Sequence, residues 1–353
     1  MSSREREVLE AVERRRRLKP KLKDEHVTLA HGAGGKATHV LVDAIFVEQF
    51  GNATGDAALF QENGTRLAIT TDSFVVKPLF FPGGDIGELA VNGTVNDLAV
   101  AGARPLHLTA GFIVEEGFAT ADLRRIAASM ATAAREANVS IAAGDTKVVE
   151  RGKGDGVYVN TTGVGVLTPG IELAPSRVRP GDRVLVSGTL GDHGMAVMIA
   201  RGELELEVEL ESDTASLTGL VEVLLRATDG VHWMRDPTRG GIATSLNELA
   251  MEARVAVRLD EEALPIRSEV LGACEILGID PLYVANEGKL VAVVAPDEAD
   301  AALAALHAHP LGHDAAIVGE VQTEPEGLVL LDTAFGGSRV VDMLVGDPLP
   351  RIC

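Results

Sequence analysis

The feature that most constrains the fold is a break near the middle of the chain. Between Thr168 and Pro180, three prolines (Pro169, Pro175, Pro180) fall in a stretch without hydrophobic periodicity. Proline removes a backbone donor and fixes φ, so neither a helix interior nor a central strand can run through such a stretch. On both sides of it, apolar runs of strand character alternate with helical periodicity. In the first half, residues 26–30 have strand character and run into Gly32-Ala33-Gly34-Gly35. Helical spacing follows through Val40, Leu41, Ala44, Ile45 and Val47. Strand patterns at 66–71, 106–114, 139–143 and 157–167 alternate with a small-residue helix over 88–101 and an amphipathic helix over 122–137. The first of these strands ends on Asp72-Ser73 and the third stops at Gly144-Asp145. In the second half, strands at 183–187, 290–294 and 328–331 accompany helices at 195–200, after Gly240-Gly241, at 268–277 and at 298–307. The chain therefore divides into two mixed domains, of α+β and α/β character, with no short repeat.

A length of 353 residues accommodates two domains with substantial cores. Aromatic residues make up only 3% of the chain while 46% is hydrophobic, so those cores are built from Ala, Val, Leu and Ile. The formal charge of −20 argues against a general nucleic-acid or membrane surface, yet permits a nucleotide site neutralised by metal ions. Two cysteines, one of them the last residue, cannot supply a disulfide framework and suit a reducing compartment. No apolar run reaches membrane-spanning length and no apolar signal core opens the chain, so a cytoplasmic enzyme is expected. The start is charged throughout, with Arg14 to Arg17 interleaved with Glu5, Glu7, Glu10 and Glu13, and reads as a solvated extension over residues 1–25.

The terminal cysteine, Cys353, follows Pro348 and Pro350, which bias the tail toward an extended conformation and suit a thiol carried on a swinging arm. Acidic residues beside glycine or at strand ends recur as Gly55-Asp56, Asp72-Ser73, Asn96-Asp97, Gly144-Asp145-Thr146-Lys147 and Asp236-Pro237-Thr238-Arg239-Gly240-Gly241. Scattered carboxylates of this kind can bridge Mg²⁺ to phosphate oxygens, because Mg²⁺ takes hard oxygen ligands and keeps several waters. Taken singly, each Asp-Gly also suits a turn or a helix cap. The segment His31-Gly32-Ala33-Gly34-Gly35-Lys36 is not a P-loop, since Ala30 and Ala37 occupy positions where that motif needs Gly and Ser or Thr. It matches the weak dinucleotide pattern through Gly32, Gly34 and Ala37, but no regular βαβ series follows. A flap over phosphates, formed by Gly34, Gly35 and Lys36, is the expected role. His309 and His313 are separated by Pro310 and Gly312, which spoils a helical metal face, and Cys274 reads as core.

With these loops and the terminal cysteine in place, the sequence resembles the HypE family of hydrogenase-maturation carbamoyl dehydratases, within the PurM-like (aminoimidazole ribonucleotide synthetase) superfamily. The resemblance runs from about His31 to Cys353. It is carried by the glycine segment, Asp72-Ser73-Phe74-Val75-Val76, Phe81-Pro82-Gly83-Gly84-Asp85-Ile86-Gly87, Asn96-Asp97-Leu98-Ala99, Gly144-Asp145-Thr146-Lys147-Val148-Val149, Gly191-Asp192-His193-Gly194, the segment from Asp236 to Gly241, Ala285-Asn286-Glu287-Gly288, and the ending Pro350-Arg351-Ile352-Cys353. The superfamily's paired-Asp element is here Gly55-Asp56-Ala57-Ala58, with a single Asp. The resemblance implies a PurM-like domain over 26–170 that binds ATP and dimerises through its sheet, an α/β domain over 178–345, and a flexible tail over 346–353. It also implies that Cys353 accepts a carbamoyl group from a HypF-type carbamoyltransferase. ATP-dependent dehydration then gives a thiocyanate, whose cyano group passes to iron on a HypC–HypD scaffold.

The residue types suit that chemistry. An amide oxygen is a poor leaving group until phosphorylated. Asp72 and Asp97, with Asp56 or Asp236, would hold Mg²⁺ on the triphosphate, Asp145 belongs to the same nucleotide site, and Lys147 would assist at the γ-phosphate. Glu287, between Asn286 and Gly288, is the candidate base, and His193 a candidate for orienting the arm or binding phosphate. Two rivals remain. Another ATP-dependent synthetase of the superfamily would not need Cys353, and a non-catalytic scaffold presenting a thiol would not turn over ATP.

Overall fold

Strand pairing sorts the chain into two sheets, as seen in a computed structural model that describes residues 22–51, 56–202, 209–346, 349 and 351–353. Most of the charged extension, Gly55, Pro348 and Pro350 lie outside the described residues. In the first half, β1 (Ala58–Glu62) returns at Asn63-Gly64 into β2 (Thr65–Phe74). Asn63 and Gly64 both have positive φ, 49° and 82°, as a tight hairpin turn requires. A two-residue hairpin follows, β3 (Phe80–Phe81) and β4 (Gly84–Asp85). With β5 (Ala103–Glu115), β6 (Ser140–Val149) and β7 (Val157–Leu167), the sheet has the order β1-β2-β7-β5-β6. Only β5 and β6 run parallel.

Helix α1 (Lys36–Leu41) continues through a wider π-type turn, Val42–Val47, into Glu48–Phe50. Helices α2 (Ile86–Val100) and α3 (Thr120–Glu136) are part of the N-terminal core. The Asp85 carboxylate caps α2, accepting from the Gly87 and Glu88 N–H groups at 2.7 and 3.2 Å. Only Glu88 and Asp97 of this helix escape burial. Its small residues permit that packing: a Cβ on Gly93 would lie 2.9 Å from the Phe74 ring. Helix α2 is thus the spine between the two domains, with Ala99 and Val100 in the core of the second.

The second sheet is built from β8 (Arg183–Val186), β9 (Val231–Arg235), β10 (Ala256–Asp260), β11 (Val291–Val294), β12 (Ala316–Gln322), β13 (Val329–Asp332) and β14 (Ser338–Val341). Its order is β14-β13-β10-β12-β8-β11-β9, with β10 and β13 parallel and the other neighbours antiparallel. Residue alternation directs Val184, Val186, Val291 and Val293 to one core, while Leu185, Ala292 and Val294 belong to another. Between these strands lie α4 (Asp192–Ala200), α5 (Thr218–Ala227), α6 (Gly241–Ala253), α7 (Ser268–Leu277) and α8 (Ala299–His307). Helix α6 packs in the first core, and α5 and α8 in the second. Among the described residues no helix is long and apolar enough to cross a membrane.

Three local expectations fail for identifiable reasons. Residues 26–30 form no strand: the His31 ring accepts the Thr28 N–H at 3.0 Å and holds Leu29–Gly32 in a 3₁₀ turn. Strand β2 does not end at Asp72-Ser73, because both residues pair with β7, opposite Thr161 and Asn160. Strand β6 runs straight through Gly144-Asp145. A Cβ on Gly144 would lie 2.6 Å from the Ala110 carbonyl oxygen, so this glycine allows a close strand approach rather than a turn.

Two glycines give opposite expectations for stability. Gly241, with φ +58°, starts α6 against the 281–285 turn, and a Cβ there would lie 2.5 Å from the Leu282 carbonyl oxygen. Gly272 lies within α7 with open space around its Cβ position. In urea unfolding, Gly241→Ala should therefore destabilise by about 2–4 kcal/mol. Gly272→Ala should stabilise by about 0.5–1 kcal/mol.

Candidate active site

The groove between the domains gathers carboxylates from elements far apart in sequence. Asp56 precedes β1, Asp72 sits in β2, Asp97 is one of the two residues of α2 that escape burial, and Asp236 follows β9. Oxygen atoms of Asp56, Asp97 and Asp236 lie within 4.8 Å of one another. The Thr70 hydroxyl is placed 2.7 Å from both the Asp97 carboxylate and the Asp56 carbonyl oxygen. Arg235 is the cation on Asp56, its Nε 3.0 Å from the carboxylate, and its other arm binds Glu248, which in turn holds His39 at 2.7 Å. This compensation is incomplete. Burial and then the neighbouring carboxylates hold the Asp97 and Asp236 acid groups well above the ordinary carboxylate range. Burial also raises Asp56 against Arg235, and Asp72 against Arg239.

Glu287 enters from the other side. It is 2% exposed, and one of its carboxyl oxygens has no hydrogen-bond partner among the described residues. Burial first, then Asp236, Asp72 and Asp213, push its acid group well above the usual range. Its backbone is fixed at both ends. The N–H donates to Asp213 at 3.0 Å, and the carbonyl accepts from the Asn96 amide of α2 at 3.0 Å. Asn96 also donates to the Ala215 carbonyl at 3.0 Å and accepts from the Leu217 N–H at 2.8 Å, stitching the domains together beneath the site. Gly288 allows this turn, since a Cβ there would fall 1.7 Å from the Asp213 carbonyl oxygen.

The end of the chain reaches the same place. Cys353 lines a pocket of about 240 Å³ together with Asp56, Thr70, Asp72, Asp97, Arg239 and Glu287. Burial, opposed by Arg239 and reinforced by the neighbouring Glu287 and Asp72, pushes the pKa of the thiol up. Residues 351–353, the end of the expected swinging arm, are docked here. The Val75 N–H donates to an oxygen of the Cys353 terminal carboxylate at 3.1 Å and the Lys77 N–H to the Arg351 carbonyl at 3.2 Å. His193 Nε2 lies 3.0 Å from the Ile352 carbonyl oxygen. A carbonyl only accepts, so Nε2 carries the proton and Nδ1 accepts from the Ser212 hydroxyl at 2.8 Å. His193 is fully buried, which lowers its pKa and favours this neutral form. Ile352 and Leu349 fill the hydrophobic core beneath.

Other expected residues are not brought into the pocket. Asp145 and Lys147 form an exposed ion pair at 2.8 Å on β6. That strand is separated from Asp72 on β2 by three strand spacings, about 14 Å. Lys36 pairs with Asp342 at 2.5 Å, and its N–H donates to the Leu344 carbonyl at 3.1 Å, so the side chain faces away from the carboxylates. Gly34 packs on Arg239 and Gly35 on Leu344, leaving the glycine loop beside the tail rather than over the Asp cluster. Cys274 is buried in the core, as expected. Sequence analysis gave no role to Arg239, the cation lining the pocket among its described residues, although the residue stood in a motif already singled out. Asn96 was equally visible. Asp213 carries no local signal, because its partner Glu287 is 74 residues away.

Two family models match the chain: "AIR synthase related protein, N-terminal domain" over residues 54–167 and "AIR synthase related protein, C-terminal domain" over residues 179–331. Fold and site thus define a two-domain protein of the AIR-synthase-related class. Carbamoyl dehydratase HypE of Rhizobium leguminosarum bv. viciae is 56% identical over 333 residues, which cover 93% of this chain and 95% of the relative. A crystal structure of a HypE–HypF complex matches with a TM-score of 0.82 at 50% identity, over 86% of this chain and 99% of the matched chain. A crystal structure of HypE in complex with ATP matches at 0.79 and 46%, over 93% and 100%. The chain belongs to the HypE carbamoyl dehydratase family.

The raised carboxyl groups fix the sign of a pH effect. Because Asp97, Asp236 and Glu287 hold protons more tightly folded than unfolded, the folded state binds more protons between the ordinary carboxylate range and their raised values. Stability should fall as pH rises through that window. Asp236→Asn should flatten this slope in urea titrations of the ligand-free protein and raise stability at neutral pH.

Proposed function

We propose that the chain is an ATP-dependent carbamoyl dehydratase acting on its own C-terminus. The carbamoyl group on Cys353 is dehydrated to a thiocyanate, the cyanide source for the iron of [NiFe]-hydrogenase. The observation that carries this reading is the meeting of the terminal thiol, the buried Glu287 carboxyl and the carboxylate cluster in one pocket. The matched HypE–ATP and HypE–HypF structures support ATP as co-substrate and a HypF-type carbamoyltransferase as the source of the carbamoyl group. The HypC–HypD scaffold is the proposed acceptor.

The carbamoyl oxygen attacks the γ-phosphorus of ATP, the bond to ADP breaks, and one N–H proton leaves, giving R–S–C(=NH)–O–phosphate. Loss of the second N–H proton with cleavage of the C–O bond yields R–S–C≡N and inorganic phosphate, so the oxygen of the lost water departs in phosphate. Glu287, in its ionised form, is the proposed base beside the thiol, and its position out of water favours the proton-bound form after transfer from nitrogen. Arg239 faces the charge that gathers on the transferred phosphate, a role the sequence analysis gave to Lys147. His193 and the Val75 N–H hold the substrate's backbone.

Mg²⁺ fits the cluster. Asp56, Asp97 and Asp236 offer hard oxygen donors within 4.8 Å, and their mutual repulsion is relieved by a divalent cation. Asp72 stands beside them. When bound, the ion supplies neutralisation of the triphosphate. The N-terminal sheet is proposed as the surface on which two copies meet. Residues 140–148 of the edge strand β6 are exposed, its Ile141 and Val148 to 37% and 69%, and Ile113 on the adjacent β5 is 46% exposed.

Intact-mass analysis tests the reading. With carbamoyl donor, transferase and Mg-ATP, Cys353 should gain the mass of HNCO and then lose that of one water. Modification of Cys274 instead would contradict it. Glu287→Gln should retain ATP binding but accumulate the carbamoylated form, with dehydration slowed about 10²–10⁴-fold. Asp97→Asn should abolish dehydration and weaken Mg-ATP binding.

A further inference from the structure

The last three residues are held by more than backbone pairing. The Arg351 side chain is ion-paired with Asp155, in the loop between β6 and β7. The Arg351 carbonyl oxygen accepts from Arg201 Nη2 at 2.6 Å in addition to the Lys77 N–H. Arg201, just beyond α4, also donates from Nε to the Lys77 carbonyl at 2.7 Å. One guanidinium therefore ties the tail to the segment it pairs with, while a carboxylate of the N-terminal domain holds the Arg351 side chain. Between these holds Arg351 adopts φ +57°, a left-handed conformation that non-glycine residues avoid. It lies two residues before Cys353, in the stretch that enters the pocket.

The energetics suit a reversible hold. Arg351 and Asp155 have side chains 45% and 32% exposed, where an ion pair contributes little on its own and exchanges readily with water. The left-handed residue also opposes docking. If burial of Ile352 alone were the anchor, neither Asp155 nor Arg201 would be needed, and a strained residue would be a cost without return. A thiol that collects its carbamoyl group on one protein and is dehydrated inside another pocket must be bound firmly enough to react and loosely enough to leave.

We propose that Asp155 and Arg201 are positioning residues that clamp Arg351 from the two domains and hold Cys353 in the pose in which dehydration occurs. The inference rests on the function proposed above for its kinetic part, but the clamp itself is tested without it. Cys353 alkylation by iodoacetamide, followed by peptide mass with a Cys353→Ser control for Cys274, reports docking alone. Asp155→Ala and Arg201→Gln should each raise the rate at Cys353 about threefold to tenfold, the double variant more, and Asp155→Glu should return it toward wild type. In single-turnover assays on carbamoylated protein, the same variants should slow dehydration by a similar factor, while carbamoylation by the HypF-type transferase is not slowed.

A double variant whose alkylation rate stays within about twofold of wild type would overturn the clamp. Faster alkylation with unchanged dehydration, or equal slowing of both half-reactions, would overturn the positioning role. If wild-type protein alkylates slowly and the variants quickly but no form dehydrates its carbamoyl group, the functional reading fails, and with it the positioning role, while the clamp stands.

Discussion

The structure depends on keeping several carboxylates together in a partly dehydrated groove. Asp56, Asp97 and Asp236 repel one another, and Arg235 offsets only part of the repulsion. Such an arrangement persists because the surrounding fold over-determines it. Asp97 rides on a helix whose other residues are almost all buried, and Asn96 next to it bonds three backbone groups of the opposite domain. The stored electrostatic energy is the binding potential of the site: whatever brings positive charge there is stabilised by the same repulsion that destabilises the ligand-free protein.

The docked tail completes the groove. Cys353 arrives along the β2 extension at Val75 and Lys77, so the substrate-bearing residue is positioned by main-chain pairing and by His193. This explains why a neutral histidine is fully buried beside the active pocket: its task is to present a proton donor to the Ile352 carbonyl of the tail. It also explains the paucity of cations. Arg239 faces Asp72, Glu287 and Cys353 together, and the pocket keeps its capacity for a metal-bound triphosphate.

Much of this was legible in the sequence. Proline clustering at 168–180 separates the two sheets, and the period of residues 268–277 and 157–167 gives helix α7 and strand β7 at their observed bounds. The Asp-Gly loops named four carboxylates that do converge. Asp145 and Lys147 look identical to those loops in sequence, yet Gly144 serves a close strand approach, and the pair lies on the exposed edge of the sheet. Lys36 sits in a phosphate-like glycine loop, but Asp342 claims it from more than three hundred residues away, a contact no local pattern announces. Asp213, Asp155 and Arg201 are invisible for the same reason: their roles exist only through non-local partners. Proline and terminal position favour an extended arm in the sequence without saying where it rests, and extension is also what strand-like docking needs.

The central claim is that Cys353 carries its carbamoyl group into this pocket and that the oxygen lost on dehydration leaves on the γ-phosphate. The most direct measurement is a single turnover of protein whose Cys353 carbamoyl oxygen is isotopically heavy, with mass analysis of the phosphate released. The account predicts one heavy oxygen in inorganic phosphate for each thiocyanate formed. Heavy oxygen recovered in water, with unlabelled phosphate, would contradict it.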